Sequence, residues 1–270
     1  MKLSELTKML SDAGIENARS EARMLFEHFT DIKRERLFGF DAESNTPELI
    51  SAANRRVKRE PLQYILGCAD FYRERYTVTP DCLIPRQDTE VLVEVATTLI
   101  PKGESILDLC TGSGCIAIST IKNSKETTAI AVDISEKALA IAKENARANG
   151  VSDRIAFIQH DVTKKAIDGK FFAILSNPPY VTPDAYAGLE KEIFHEPKIA
   201  FLGGDDGLYF YMRLTELYKD SLKPDGFIAY EIGYDQSEGI IEIANKYGMI
   251  AEIIKDLGGN PRVALLRPDK

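Results

Sequence analysis

Beyond residue 85 the chain alternates short apolar runs with helical stretches, and that alternation constrains the fold more than any other feature. Strand, helix, strand, helix in succession implies a parallel sheet with helices on both faces. Strands are predicted at about 105–109, 128–133, 154–159, 171–176, 226–232, 249–255 and 261–266. A long helix is predicted over 135–149, with Ser135 as its N-cap. The last two strands are joined through Gly258-Gly259-Asn260-Pro261. That link is too short for a helical crossover, so the pair must be antiparallel.

The first 60 or so residues read differently. Leu3, Leu6, Met9 and Leu10 form one helical stripe, and Ala22, Leu25, Phe26 and Phe29 form another. Asn45-Thr46-Pro47-Glu48 resembles a helix start, with Pro in the first turn. Four or five short helices in a bundle are expected. From Phe71 to Ile84 the apolar period shortens towards two, which predicts a β-hairpin connector. The expected organisation is a helical domain over 1–70, a hairpin linker over 71–84 and an α/β domain over 85–270.

A chain of 270 residues, 44% hydrophobic and 28% charged, suits a soluble globular protein with a substantial core. Its net charge of -8 argues against a duplex-binding role, which needs clustered Lys and Arg. Residues 1–75 are neutral, with 13 basic and 13 acidic side chains, and the remainder holds the excess, 21 against 29. One dense basic cluster, Arg55-Arg56-Val57-Lys58-Arg59, reads as a solvated helix face, with a binding patch as the alternative. No apolar run approaches the roughly 20 residues of a membrane helix. The start of the chain mixes charges into its apolar positions and has no signal-peptide core, so a cytoplasmic protein is expected. Cys68, Cys82, Cys110 and Cys115 lack paired spacing and read as reduced thiols. His28, His160 and His195 are scattered, and no metal site is expected.

Two segments at predicted strand ends carry chemistry. In the first, Ser105–Leu109 runs into Cys110-Thr111-Gly112-Ser113-Gly114-Cys115 and then a helix. Gly112, Gly114 and Ala117 match Gly-x-Gly-x-x-Ala, a nucleotide-cofactor loop. Asp133 ends the next strand, where an acid can accept both ribose hydroxyls of a nucleoside. Nicotinamide dinucleotides and S-adenosylmethionine share this geometry. Asp108 beside the loop favours the latter, because it repels a pyrophosphate and attracts a sulfonium and an ammonium. Asp161 after the third strand can accept from an adenine amino group while Val162 packs on the ring. Any one of these acids alone would read as a helix cap or loop carboxylate.

The second segment is Asn177-Pro178-Pro179-Tyr180, after the buried strand Phe171–Leu175. Two prolines fix two φ angles and remove two N–H donors, so the backbone there only accepts hydrogen bonds. Asn177 adds a side-chain carbonyl and Tyr180 an aromatic face. Aligned acceptors beside an aromatic wall suit the grip of a planar –NH2 group, with its lone pair aimed at an electrophile. The competing reading is a proline turn capped by a polar residue.

Together these segments resemble the S-adenosylmethionine-dependent amino methyltransferases, and more narrowly the peptide chain release factor N5-glutamine methyltransferases (the PrmC/HemK family). The narrower resemblance rests on Pro61-Leu62-Gln63-Tyr64-Ile65-Leu66-Gly67, Ile84-Pro85-Arg86-Gln87-Asp88-Thr89-Glu90, the loop from Asp108 to Gly114, and Asn177–Tyr180. Glu196-Pro197, Gly203-Gly204-Asp205-Asp206-Gly207, Glu231-Ile232-Gly233 and Gln236 complete it. It covers the chain from about residue 60 to the end, and the N-terminal helices match in type only. Gln87 stands where the family usually has a second proline, and Arg73 where a glycine is common.

The resemblance implies a seven-stranded Rossmann-like class I methyltransferase sheet. It implies S-adenosylmethionine held by Asp108, Cys110, Thr111, Gly112, Ser113, Gly114, Asp133, Asp161, Val162 and Asn177. Asn177, Pro178, Pro179 and Tyr180 would form the catalytic segment. The implied substrate is the Gly-Gly-Gln glutamine of class I release factors, bound as a protein partner by a monomer without nucleic acid or membrane. Arg86, Thr89 and Glu90 would shape the floor of the site or form a buried ion pair between domains. The alternative activity is an adenine N6 methyltransferase acting on nucleic acid.

Overall fold

The computed structural model describes residues 1–269, which fall into two compact units. The first comprises Met1–Cys68 and, out of sequence, Glu190–His195. The second comprises Ala69–Leu189 and residues 196–269.

The first unit holds five helices: α1 (Leu3–Asp12), α2 (Ala18–Phe29), α3 (Arg36–Gly39), α4 (Pro47–Val57) and α5 (Leu62–Leu66). Pro47 opens α4 from the extended residue Thr46, as expected. Leu3, Leu6 and Leu10 of α1 are buried with Leu25 and Phe26 of α2 and Leu49 of α4. Met9, expected on the same stripe, is 37% exposed, because three leucines already fill the narrow face that α1 turns inward.

The three arginines of the basic cluster are tied to carboxylates of their own unit rather than forming a free solvated face, and Lys58 stays exposed. Arg55 pairs with Glu60 at 2.5 Å. Arg56 is 5% exposed and reaches Glu21 at 2.5 Å and Glu192 at 2.8 Å. Arg59 takes the same Glu192 at 2.8 Å and donates to the Gly14 carbonyl at 2.7 Å. Charge spacing could not show this, because Glu192 lies about 130 residues downstream of the arginines it binds.

A hairpin follows, β1 (Cys68–Phe71) and β2 (Glu74–Thr77). It begins earlier than expected and ends at Thr77, so the range 71–84 is corrected to 68–77. Residues 78–86 form no strand, and Pro80 and Pro85 remove donors a strand would need. Tyr72 and Arg73 make the turn with φ of 47° and 77°. That is a backbone glycine would adopt more cheaply. The Tyr72 N–H is held by Glu90 Oε1 at 2.9 Å.

The remaining elements are α6 (Glu90–Leu99), β3 (Ser105–Leu109), α7 (Cys115–Asn123), β4 (Thr128–Asp133), α8 (Glu136–Ala148), β5 (Ile155–Gln159) and β6 (Phe171–Ser176). After them come α9 (Pro183–Ala187), α10 (Tyr209–Tyr218), β7 (Leu222–Glu231), α11 (Ser237–Lys246), β8 (Met249–Lys255) and β9 (Pro261–Pro268). Ser135 caps α8, accepting from Ala138 N at 3.2 Å. The seven strands of the main sheet lie in the order β5-β4-β3-β6-β7-β9-β8. Pairs from β5 to β7 are parallel, and β9 is antiparallel to both β7 and β8. The antiparallel end was legible, but the insertion of β9 between β7 and β8 was not. Its physical reason is burial: Val263–Leu266 of β9 are fully covered, whereas β8 is half exposed along its length and takes the edge. The order reverses at β3, with β4 on one side and β6 on the other, which opens a crevice at the carboxyl ends. Among the described residues no helix is long and apolar enough to cross a membrane.

Arg56→Ala leaves Glu21 and Glu192 with one less buried partner each. The variant is expected to lose about 3–5 kcal/mol of stability in the helical unit. Hydrogen exchange of α2 and α4 amides, compared with wild type, checks this; unchanged protection there would contradict a stabilising clamp.

Candidate active site

A cavity of about 250 Å³ lies at the carboxyl ends of four consecutive parallel strands. Cys110 and Gly112 follow β3, Asp133 and Ile134 end β4, Asp161 and Val162 follow β5, and Asn177 and Pro179 follow β6. These are residues the sequence singled out, Ile134 excepted. The sequence reading missed the opposite wall, made by Asp81, Cys82 and Leu83 after the hairpin and by Pro197, Ile199, Ala200, Tyr209 and Phe210. Only Glu196-Pro197 carried a signal for it.

Asp133 anchors the polar side. Its Oδ2 accepts from Gly112 N at 2.8 Å and its Oδ1 from Ser135 N at 2.9 Å. Each oxygen keeps a second lone pair, so the carboxylate can still take two vicinal hydroxyls. Burial raises its pKa, and the bonds from Ser135 and Gly112 oppose that. Asp161 is held charged instead: the Thr163 hydroxyl donates to Oδ1 at 2.7 Å, and this bond lowers its pKa. Val162 is 5% exposed and forms an apolar face beside it.

Asp108, expected at the lip of the loop, lies beneath it. The side chain is fully buried and outside the cavity wall. Its Oδ2 accepts from Thr111 Oγ1 at 2.5 Å and Ala117 N at 3.1 Å, while Oδ1 has no partner. It therefore acts by holding the loop and the first turn of α7, and burial pushes its pKa up to about 7. Thr111, Ser113 and Gly114 also stay behind the wall. Ser113 is tied by its carbonyl to Asn145 Nδ2 at 2.9 Å, and the same amide brackets Thr77 at 2.7 and 3.0 Å. One buried asparagine on α8 thus joins the glycine loop to the end of the hairpin.

The tetrapeptide is fixed from behind by glycines and a glutamine. A Cβ on Gly203 would stand 2.5 Å from Tyr180 Cα and 2.6 Å from the Pro179 carbonyl, so no side chain fits. Gln236 Nε2 donates to the carbonyls of Tyr180 and Gly207, both at 3.2 Å. Gln236 Oε1 in turn accepts from Gly233 N at 2.9 Å. Val181 N donates to Phe201 O at 2.7 Å, and Gly203 N returns to Val181 O at 3.0 Å. Pro178 and Tyr180 do not line the cavity; Asn177 and Pro179 do. Asn177 Nδ2 donates to Thr89 Oγ1 at 3.2 Å, which leaves Oδ1 for the cavity.

The three supporting residues separate. Thr89 is buried and bonded to Asn177. Arg86 pairs with Glu196, whose other oxygen accepts from Ile84 N at 3.0 Å. That ion pair lies inside the second unit, not between domains. Glu90 caps the hairpin turn and is not part of the wall. The whole arrangement is acceptor-rich: carboxylates for hydroxyls on one side, a carbonyl-only segment on the other.

Known proteins resemble the chain along its length. The family model of the PrmC N-terminal domain matches residues 2–67, and that of the methyltransferase small domain matches residues 87–203. A release factor glutamine methyltransferase of Thermodesulfovibrio yellowstonii is 37% identical over 259 residues, 93% of this chain and 92% of that protein. One from Geobacter sulfurreducens is 36% identical over 244 residues, covering 88% and 85%. A methyltransferase structure from Pyrococcus furiosus superposes with a TM-score of 0.52 at 20% identity, covering 92% of this chain and 97% of that one, and shares the fold.

Because Asp108 has its pKa raised from 3.8 to about 7 in the folded state, the native protein binds the extra proton between those values. Its contribution is favourable below the unfolded pKa and is lost as pH rises through about 7. Urea unfolding of wild type and Asp108→Asn at pH 4.5 and 8 is expected to show the stability difference shifting towards the variant at high pH. The shift should be on the order of 4 kcal/mol at most. A difference independent of pH would mean that Asp108 stays ionised in its buried position.

Proposed function

The chain belongs to the release factor glutamine methyltransferase family, and from that premise we propose the following reaction. It moves the methyl group of S-adenosylmethionine to the side-chain amide nitrogen (N5) of the Gly-Gly-Gln glutamine in class I peptide chain release factors. The observation that carries this reading is the Asn177 amide. Its nitrogen is engaged by Thr89, so its carbonyl is presented beside a proline pair that has no N–H to offer. A planar nitrogen with two hydrogens satisfies such a wall.

Asp133 would hold the ribose hydroxyls, Asp161 the adenine amino group and Val162 the ring face, and the lone pairs left on Asp133 fit that task. S-adenosylmethionine supplies an electrophilic methyl group when bound. Asn177 Oδ1 would accept one hydrogen of the glutamine amide from the cavity wall, and the Pro178 carbonyl, next in the tetrapeptide but outside that wall, would accept the other from a glutamine that enters past it. With both N–H bonds held, rotation about the C–N bond is restrained and the nitrogen lone pair is turned toward the methyl donor. No strong base is required of the protein, since the methylated amide nitrogen sheds its proton readily to water. Orientation and preorganised acceptors are the protein's contribution to rate. The helical unit would provide recognition of the release factor, for which an interface of roughly 1,200–2,000 Å² is usual. With Arg55, Arg56 and Arg59 engaged inside that unit, their charges are not the contact.

Incubation with methyl-labelled S-adenosylmethionine and an intact release factor, followed by mass spectrometry, should place one methyl on the glutamine side chain. Label on tRNA, rRNA or duplex DNA instead, with the release factor unmodified, would transfer the assignment to an adenine amino methyltransferase. Asn177→Ala is expected to lower turnover by about two to three orders of magnitude with little change in cofactor affinity. Asp133→Ala should weaken cofactor binding by about 2–4 kcal/mol in calorimetry, the value of two charge-assisted bonds.

A further inference from the structure

We propose that Glu196 is a positioning residue for methyl transfer, pinning together the two loops that close the outer wall of the cavity. The inference rests on the methyltransferase reading above and extends it to a side chain that does not itself line the cavity. Glu196 stands where the chain returns to the second unit after residues 190–195, and its side chain is 1% exposed. Its Oε2 accepts from Ile84 N at 3.0 Å, a residue 112 positions earlier in the chain, and its Oε1 is paired with Arg86 Nη2. Both oxygens are engaged, whereas Asp108 and Glu231 each keep one without a partner.

The loops that it joins have few means of holding themselves. The first, residues 79–85, walls the cavity with Asp81, Cys82 and Leu83. Pro80 and Pro85 have no N–H to give. Among the described residues the backbone of this stretch bonds to other backbone only within itself, Cys82 N to Thr79 O at 3.1 Å. Side chains fasten it instead. Asn145 brackets Thr77 just before it, Lys137 meets Asp81 at the surface, and Glu196 takes the buried Ile84 N. The second loop, residues 197–201, walls the cavity with Pro197, Ile199 and Ala200. Its far end is tied beside the tetrapeptide, because Val181 N donates to Phe201 O at 2.7 Å. Its near end is held by Glu196. One carboxylate thus sets the separation of the two loops, and a ligand filling the cavity from Asp133 and Val162 meets both of them.

Arg86 carries the same fastening to the substrate side. Its carbonyl accepts from Thr89 N at 3.1 Å in the short 3-10 turn Gln87–Thr89, and Thr89 Oγ1 accepts from Asn177 Nδ2 at 3.2 Å. The pin therefore reaches the cofactor wall through Ile84 and Pro197, and the turn that orients Asn177 through Arg86. A displacement of about 1 Å from a change remote from the chemistry can lower a rate on the order of 100-fold, so a pin behind the wall is felt in catalysis.

The test uses the full chain, an intact release factor and S-adenosylhomocysteine, the demethylated cofactor, as binding probe. Glu196→Gln keeps the length of the side chain and one acceptor but loses the charge that Arg86 pairs with. It should weaken S-adenosylhomocysteine binding by about 10-fold in calorimetry and lower kcat/KM for the release factor by about 10- to 100-fold. The amides of residues 82–84 and 198–201 should exchange faster in the variant, with the circular dichroism spectrum unchanged. Arg86→Met should reproduce the weakened binding, and Arg86→Lys, which restores the charge, should recover most of it; this pair decides the matter if Glu196→Gln does not fold. An ion pair serving stability alone would lower the melting temperature and leave the affinity of the folded variant untouched. Affinity for S-adenosylhomocysteine within about twofold of wild type in Glu196→Gln or in Arg86→Met would overturn the proposal. A wild type that binds S-adenosylhomocysteine yet leaves the release factor unmethylated sinks the release factor reading, and the affinity comparison still decides the role of Glu196.

Discussion

The amide of Gln236 holds two carbonyls at once, those of Tyr180 and Gly207, and the second unit's chemistry depends on that bond. A segment with two consecutive prolines has no N–H groups of its own to pair, so it cannot be fastened as a strand is. Its carbonyls must be either bound by donors from elsewhere or left for a ligand. Gln236 claims the Tyr180 carbonyl, Gly203 lets the chain at residues 201–203 lie directly against the backbone, and the carbonyls before Tyr180 remain. The Gly203–Gly207 segment, Gly233 and Gln236, separated along the chain, are thus parts of one clamp on the tetrapeptide.

Two fully buried carboxyls flank this arrangement, and neither is compensated by a full ion pair. Asp108 has one oxygen without a partner and Glu231 likewise. Burial of that kind costs stability at neutral pH, where ionisation is opposed by the low dielectric. The parallel core tolerates it because the neighbouring strands are apolar: Leu107, Leu109, Ile174 and Leu175 are fully buried around the site. A surplus of hydrophobic burial in the sheet offsets the cost of these two polar groups.

The helical unit shows the opposite use of charge. Arg56 satisfies two carboxylates and the Glu60 carbonyl, and its partner Glu192 also holds Arg59. The residues 190–195 that complete this network leave the second unit between Leu189 and Glu196 and return to it immediately. A run of arginines that looks like a surface for acidic partners is spent on internal fastening.

Much of this was legible before any coordinates. The alternating pattern dictated a parallel sheet, and the strands at 105–109, 128–133, 171–176 and 249–255 fall where the apolar runs end in polar or glycine residues. The Ser135 cap and the Pro47 helix start were equally local, because caps and φ restrictions act within a few residues. The identity of the residues at the strand ends, Asp133, Asp161, Val162 and Asn177, was likewise readable, since the side of the sheet on which ligands sit follows from strand direction. What only the tertiary structure decided was depth and partnership. Whether Asp108 stood at the lip or under the loop depended on how α7 packs, and whether Arg56 met water or Glu192 depended on a segment far along the chain. The rotamer of Asn177 was decided by Thr89 from another element. Local sequence determines backbone conformation and strand direction, because those energies act between neighbours. The partner of a buried polar group is settled by atoms brought together from distant segments, and no spacing along the chain encodes it.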